Sequence, residues 1–531
     1  MKNNDNSVRN LVWDLLKERD TKFIFGNPGS TELPFFANWP EDITWMMSLH
    51  EGTAAAMADG YAQATGKPAF LVLHSAAGLA NALSSIYTGV RNYTPLVVMA
   101  GQQVRSLHPY NAYLYAEEAT LLPKPYIKWG IESSLAANVP LDLANAFRLS
   151  SQRPYGPTFI SVPMDDWNQP GTKPQKRNFS DRFTGDIEEL QKVSEKLKSA
   201  KNVFIVVGPE LDRDGATELA VDLAERIGAK VWLSPHIDRH SFPEDHPSFR
   251  GQLQPLKKNI KESLKNADLV LVLGAPVFLY HLPGEGLPLN EGIDLIQLTE
   301  NPEIISRAEM GIGIRTSLKN GLTIILKEIP TDLNISIPEP LPSKHEKEHN
   351  PMSSSNVLQV LGENLPDDTI IVEEAPTIRE LRWQYFPIRK GGSYYNGGSG
   401  CLGWGVPASM GISLANSDKT VVCIVGDGSI QYAIQAFWTA SQHNIKVIVV
   451  VLNNQEYAAM KELSLTFQAD NPPSYDLPNI NITDIIKGYG CNAEKVSNAT
   501  SLKKAIDKAL DSRKTTVIDV SIDTTVSPLY S

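Results

Sequence analysis

Val421-Val422-Cys423-Ile424-Val425-Gly426-Asp427-Gly428-Ser429 and, a helix-length interval later, Val447-Ile448-Val449-Val450-Val451-Leu452-Asn453-Asn454 are the two stretches that decide the fold. Each is a short apolar run closing in polar, turn-forming residues. The interval from Gln431 to His443 places Ile434, Phe437 and Trp438 as an apolar helix face would. Strand, helix, strand in that order is a right-handed parallel crossover with both strands buried on two faces. As sheet neighbours, the strands deliver Asp427 and Asn454 to one edge, about 5 Å apart. Two oxygen donors so placed suit a hard cation such as Mg2+, which takes few protein oxygens and shares a phosphate. A helix starting just after Ser429 points its free N–H groups at that phosphate. The segment reads as a metal–diphosphate clamp.

The same alternation runs through the chain. Apolar runs at 23–25, 69–73, 95–100 and 157–162 form one block, those at 203–207, 230–233, 269–273 and 295–298 a second, and 369–372, the two opening runs and 517–522 a third. Polar, Pro-containing stretches at 168–177 and 338–355 separate the blocks as linkers. The expected fold class is therefore α/β, with three consecutive doubly wound parallel-sheet domains over residues 1–180, 181–340 and 341–531. Ligands of such sheets lie beyond the carboxyl ends of the strands, where Ser30, His74 and Asp427 all fall.

Composition excludes several classes. The 531 residues are 42% hydrophobic and 21% charged, an ordinary globular balance. A net charge of -11 argues against nucleic acid as a main partner. Cys401, Cys423 and Cys491 share no metal-type spacing, residues 1–10 lack an apolar signal core, and the longest aliphatic run is far too short to span a membrane. A soluble cytoplasmic protein is expected. His345-Glu346-Lys347-Glu348-His349 fits the two-His zinc helix but lies among Lys, Glu and Pro without an apolar face, so it reads as linker. Gly398 to Gly403 fits G-x-G-x-x-G, yet no acidic residue closes a following strand at the right distance, so these glycines read as a loop approaching a ligand closely.

Glu51 precedes an Ala/Met-rich helix, where it is either a dipole-stabilised first-turn carboxylate or a proton donor against apolar surface. His74 and His281 follow apolar strands and are either structural or proton carriers. Ser30, in a Gly/Pro turn, is a cap or a substrate contact.

With Glu51, the clamp resembles the two-part site of thiamine diphosphate-dependent enzymes, and the resemblance to their benzoylformate decarboxylase branch runs over nearly the whole chain. It is carried by Gly26-Asn27-Pro28-Gly29-Ser30, His74-Ser75-Ala76-Ala77-Gly78, Gly101-Gln102-Gln103, Ser161 to Trp167, Gly274 to Phe278 with Tyr280-His281, and Gly426 to Ser429. The resemblance implies Mg2+ held by Asp427, Asn454 and the backbone carbonyl of Glu456. It implies a diphosphate lined by Gly426, Gly428, Ser429 and Tyr457, and Leu402 as the wedge that bends the cofactor. Glu51 is implied to protonate the pyrimidine ring, Ser30 to hold the carboxylate of a 2-oxo acid, and His74 and His281 to move protons. The site is shared in that family, which implies a homodimer at least and often a homotetramer. The branch carries phenylalanines where this chain has Asn396 and Leu463; Ala459 and Met460 still offer an apolar wall. The expected activity is non-oxidative decarboxylation of an aromatic or bulky 2-oxo acid. Alternatives are carboligation, with Asn396 orienting an acceptor, a flavin oxidase, and a non-catalytic cofactor-binding scaffold.

Overall fold

The computed structural model describes residues 6–331, 336–342, 344–525 and 530. It contains three six-stranded sheets, and every pair of neighbouring strands in the first is parallel. That sheet comprises β1 (Phe23–Gly26), β2 (Thr44–Met47), β3 (Ala69–Leu73), β4 (Leu96–Gln102), β5 (Trp129–Glu132) and β6 (Thr158–Pro163), in the order β2-β1-β3-β4-β6-β5. The second, also parallel, comprises β7 (Val203–Val207), β8 (Lys230–Leu233), β9 (Phe249–Gln252), β10 (Leu269–Leu273), β11 (Asp294–Thr299) and β12 (Ile312–Arg315), in the order β12-β11-β10-β7-β8-β9. The third comprises β13 (Ile370–Glu374), β14 (Tyr394–Asn396), β15 (Val421–Gly426), β16 (Ile448–Asn453), β17 (Asn492–Val496) and β18 (Thr516–Ser521). Its order, β14-β13-β15-β16-β18-β17, repeats the topology of the first. The α/β fold of three parallel-sheet domains is as expected.

Inner strands such as β3, β7, β10 and β13 are buried at every residue, which is why they are continuous apolar runs. β15 and β16 are neighbours, with Gly426 opposite Leu452, so Asp427 and Asn454 do leave the same sheet edge. The helix between them differs from expectation. It begins at Asp427 with Gly426 as its N-cap, and runs in three pieces, Asp427–Ile430, a 3-10 turn Gln431–Ala433, and Ala436–Gln442. The Asp427 carboxylate thus sits on the first helical residue instead of ahead of the helix.

Residues 171–186 form neither helix nor strand. In the second linker, Ser343 lies outside the described residues, as do residues 1–5 of the polar N-terminal stretch. His345 and His349 are exposed and non-helical, which removes the zinc-helix geometry. The linker ends earlier than expected, because Ser353 caps the helix Ser354–Asn364 through a reciprocal capping box with Asn356.

The first and third sheets share a core through two helices, Glu51–Thr65 and Gly405–Ala415. A Cβ on Gly60 would lie 2.1 Å from the Ala408 carbonyl oxygen, and one on Gly411 would lie 2.0 Å from that of Met57. The helices touch backbone to backbone, which only glycine allows here. Beside this crossing Asp59, fully buried, accepts hydrogen bonds from Thr94 (2.5 Å), Trp404 (2.8 Å), Gln63 (3.0 Å) and Asn92 (3.3 Å). Burial pushes its carboxyl up to about 6 despite those four donors.

Candidate active site

A cavity of about 560 Å3 opens at the carboxyl ends of β13, β15 and β16, between the third sheet and the middle one. Asp427, Gly426, Gly428, Ser429, Asn454 and Tyr457 line one end. Asp427 is mostly buried, and its carboxylate accepts from the backbone N–H of Gly428 at 3.0 Å. Burial raises it to about 6, and no cationic side chain among the described residues answers its charge. The chain turns sharply at Gln455, φ 59°, and the Glu456 N–H donates to the Asn454 side-chain oxygen at 3.3 Å. The Glu456 carboxylate is taken up by Lys461, leaving its backbone carbonyl as the group available to a ligand. A buried, unanswered carboxylate, an amide oxygen and a carbonyl form a hard-oxygen set of the kind Mg2+ takes. Among the described residues no three His, Cys, Asp or Glu converge, so a thiolate- or imidazole-rich site is not the alternative. Gly428 permits close approach, since a Cβ there would meet Tyr457 at 2.4 Å.

Leu402, Ala459, Met460 and Leu463 give the cavity apolar lining, and His281 joins the lining from the middle domain. Leu402 rides on a loop that Glu374 holds: this buried carboxylate accepts from the backbone N–H groups of Gly403 and Trp404 at 2.7 Å and of Gly405 at 2.5 Å. Gly398 and Gly400 of that loop line the cavity, as close-approach glycines should. The His281 imidazole Nδ1 is bonded to the Tyr530 hydroxyl.

Asn396 is not a free polar group. Its amide donates to Glu373 at 3.2 Å and to the Tyr394 hydroxyl at 3.3 Å, and its oxygen accepts from Arg379 at 3.1 Å. Both its amide hydrogens and one lone pair of its oxygen are engaged, and 2% of its surface is exposed.

Ser30, Glu51 and His74 do not line this cavity; they form a separate group at the carboxyl ends of β1, β2 and β3. Glu51 is the first residue of its helix and accepts from Asn81 at 3.0 Å. A Cβ on Gly78 would meet Glu51 Oε1 at 3.0 Å and the Cβ of His74 at 3.4 Å, which places those side chains around one point. Gly29 packs so tightly on the His74 ring that a Cβ would lie 1.8 Å from Nδ1, and Ser30 follows it, exposed. Sequence reasoning missed Glu32. This carboxylate, 1% exposed, lies 3.1 Å from His74 Nδ1 and also accepts from the Gly101 N–H at 2.9 Å. Its hydrogen bond raises the His74 pKa against a smaller lowering by burial. The available signal was an acid two residues beyond Ser30 in a stretch otherwise turning apolar. Arg379 was missed too, because nothing in the local sequence points it at the cavity.

Known proteins share this order of domains. Family models match three consecutive pieces of the chain: the thiamine pyrophosphate enzyme N-terminal TPP binding domain over residues 6–117, the central domain over 190–325, and the C-terminal TPP binding domain over 379–520. A benzoylformate decarboxylase of Pseudomonas aeruginosa is 35% identical over 526 residues, 98% of this chain and 99% of its own length. The acetolactate synthase isozyme 3 large subunit of Escherichia coli is 24% identical over 555 residues, 97% of this chain and 94% of its own. A thiamine diphosphate-dependent 4-hydroxybenzoylformate decarboxylase from Rhodococcus jostii superposes with a TM-score of 0.95 at 34% identity, covering 98% of this chain and 100% of that one. Its three sheets each matched in turn and its length matched end to end, the chain belongs to the thiamine pyrophosphate (thiamine diphosphate) enzyme family.

Proposed function

We propose that the protein is a cytoplasmic, thiamine diphosphate- and Mg2+-dependent decarboxylase that converts an aromatic or bulky 2-oxo acid and a proton to the aldehyde and carbon dioxide. The observation that carries this reading is the single cavity joining the Asp427–Asn454 oxygen donors to His281 and an apolar wall, in a chain similar end to end to a benzoylformate decarboxylase. Asp427, Asn454 and the Glu456 carbonyl would hold the metal, Gly426, Gly428, Ser429 and Tyr457 would line the diphosphate, and Leu402 would pack against the cofactor. When bound, the cofactor supplies the electron sink for the departing carboxylate. The rest falls to the chain's own groups. Glu51 holds a proton toward the pyrimidine, Ser30 binds the reacting carboxylate, and His74 and His281 carry protons to and from the reacting carbon and oxygen. Leu402, Ala459, Met460 and Leu463 keep water from the apolar substrate body. Because Ser30, Glu51 and His74 lie outside the cavity of their own chain, a second copy must supply them, which supports a homodimer at least and accommodates a tetramer.

Carboligation is the second reading, favoured by the acetolactate synthase relative. The test is to strip the protein of metal, restore Mg2+ and thiamine diphosphate, and offer a panel of 2-oxo acids while recording carbon dioxide, aldehyde and acyloin. Aldehyde equal to carbon dioxide supports decarboxylation, and acyloin with little aldehyde supports carboligation. Absence of turnover across the panel would sink both. Glu51→Gln should lower kcat at least about 100-fold, the scale of general acid–base contributions, and leave Mg2+-dependent cofactor binding in place.

A further inference from the structure

Arg379 opens the helix Arg379–Tyr385 directly behind β13 and lines the cavity beside Asn396. One edge of its guanidinium is committed: Nε donates to Glu373 at 3.2 Å and Nη2 to the Asn396 oxygen at 3.1 Å. These bonds fix the plane of the group and leave its end-on edge, an N–H from each of Nη1 and Nη2, without a partner among the described residues. That edge is the fork that matches the two oxygens of a carboxylate.

Arg379 is ion-paired with the buried Glu373 along that one edge, and the neighbouring acids are engaged elsewhere. Arg382, on the same helix, is answered by Glu244 through two bonds at 2.5 and 2.6 Å. Glu373, fully buried, is also occupied by the Tyr394 hydroxyl at 2.8 Å. Arg91 lines the same cavity, and Glu380, the acid beside Arg379, accepts from Gln254 at 2.8 Å. His236, another lining residue, is driven down to about 4 by burial and then by the positive charges of Arg379, His281 and Arg91. The other carboxylates on the cavity, Asp427 and Glu456, belong to the metal end.

We propose that Arg379 selects 2-oxo acids bearing a second carboxylate, which its end-on N–H pair receives while Leu402, Ala459, Met460 and Leu463 take the carbon framework between. This rests on the decarboxylase reading above and deepens it by naming the substrate class. Asn396 becomes a positioning residue, since its oxygen and Glu373 together aim the guanidinium.

The experiment uses the Mg2+–thiamine diphosphate holoenzyme and two matched pairs: phenylglyoxylate against 4-carboxyphenylglyoxylate, and 2-oxopentanoate against 2-oxoglutarate. In at least one pair kcat/KM for carbon dioxide release should favour the dicarboxylate by about ten- to a hundredfold, the range for a charge-assisted hydrogen bond. Arg379→Gln should abolish that preference, lowering kcat/KM on the dicarboxylate at least about tenfold more than on the monocarboxylate. A calorimetric arm needs no turnover: terephthalate should bind the holoenzyme more tightly than benzoate, and Arg379→Gln should erase the difference. A preference for monocarboxylates in both pairs, an equal fall on both members of a pair, or weakened thiamine diphosphate binding in the variant would each overturn the proposal. Equal falls would assign Arg379 to the reacting carboxylate, and lost cofactor affinity would assign it to the diphosphate. Should no 2-oxo acid release carbon dioxide, the decarboxylase reading fails, and the terephthalate–benzoate comparison still judges Arg379.

Discussion

Replacing Gly60 by alanine tests whether the crossing of the helices Glu51–Thr65 and Gly405–Ala415 sets the relative position of the two halves of the site. The added Cβ would stand 2.1 Å from the Ala408 carbonyl oxygen, and ordinary contact begins near 3.4 Å, so the helices must part by about 1.3 Å. The obstructing atoms are backbone, so no side-chain rotation relieves the clash. Overpacking of this kind costs about 1–3 kcal/mol and sometimes more. Alanine returns about 1 kcal/mol of helix propensity. The clash wins, by about 2 kcal/mol near the upper end of that range. For a cooperative unit of domain size this lowers the melting temperature by about 4–8 °C. The displacement also reaches function, since Glu51 heads one helix and the Leu402–Trp404 loop feeds the other. Circular dichroism melts and kcat/KM on the best 2-oxo acid are the assays. Gly488→Ala is the control, because nothing lies within 4 Å of a Cβ there. A Gly60→Ala protein melting at or above wild type would refute the reasoning.

Glu32→Gln should lower the titration midpoint of His74, followed by NMR of its ring. The bond to Glu32 holds the folded-state pKa above the ordinary 6.5, so its stabilising contribution is complete below 6.5 and is lost as pH rises through the raised folded value. An unchanged midpoint in the variant would remove Glu32 from that role. Asp59→Asn tests the opposite kind of group. Its folded carboxyl titrates at about 6 against an ordinary 3.8, so the folded state holds an extra proton between those values and loses about 3 kcal/mol of stability as pH rises through that window. The asparagine variant carries a fixed penalty for two misdirected donors but escapes this loss. Its melting temperature should therefore gain on wild type between pH 5 and pH 7, and a constant gap would count against the raised pKa.

The inner strands were legible because burial on both faces makes them unbroken apolar runs. The five unrecognised strands, β5, β9, β12, β14 and β17, are all sheet edges. β12 is largely exposed, β17 has a single buried residue, β5 is half-buried, β9 alternates, and β14 is only three residues long, so none stands out as an apolar run. The helix after Asp427 was misplaced because Gly426-Asp427-Gly428 looks like loop by propensity, whereas packing begins the helix at the aspartate.

What sequence alone determined is the set of groups that strand ends deliver: Ser30, Glu51 and His74 from the first sheet, Asp427 and Asn454 from the third. In parallel sheets the chain order of strand and helix already says which end a residue leaves from. Which of those groups share a cavity was decided only by tertiary structure, as was the occupation of Asn396 and the free edge left on Arg379. These depend on contacts between residues apart in the chain, such as Glu373 with Asn396 on the neighbouring strand, or Asp59 with Trp404 across 345 positions. No local pattern of hydrophobicity or turn chemistry encodes where such partners meet.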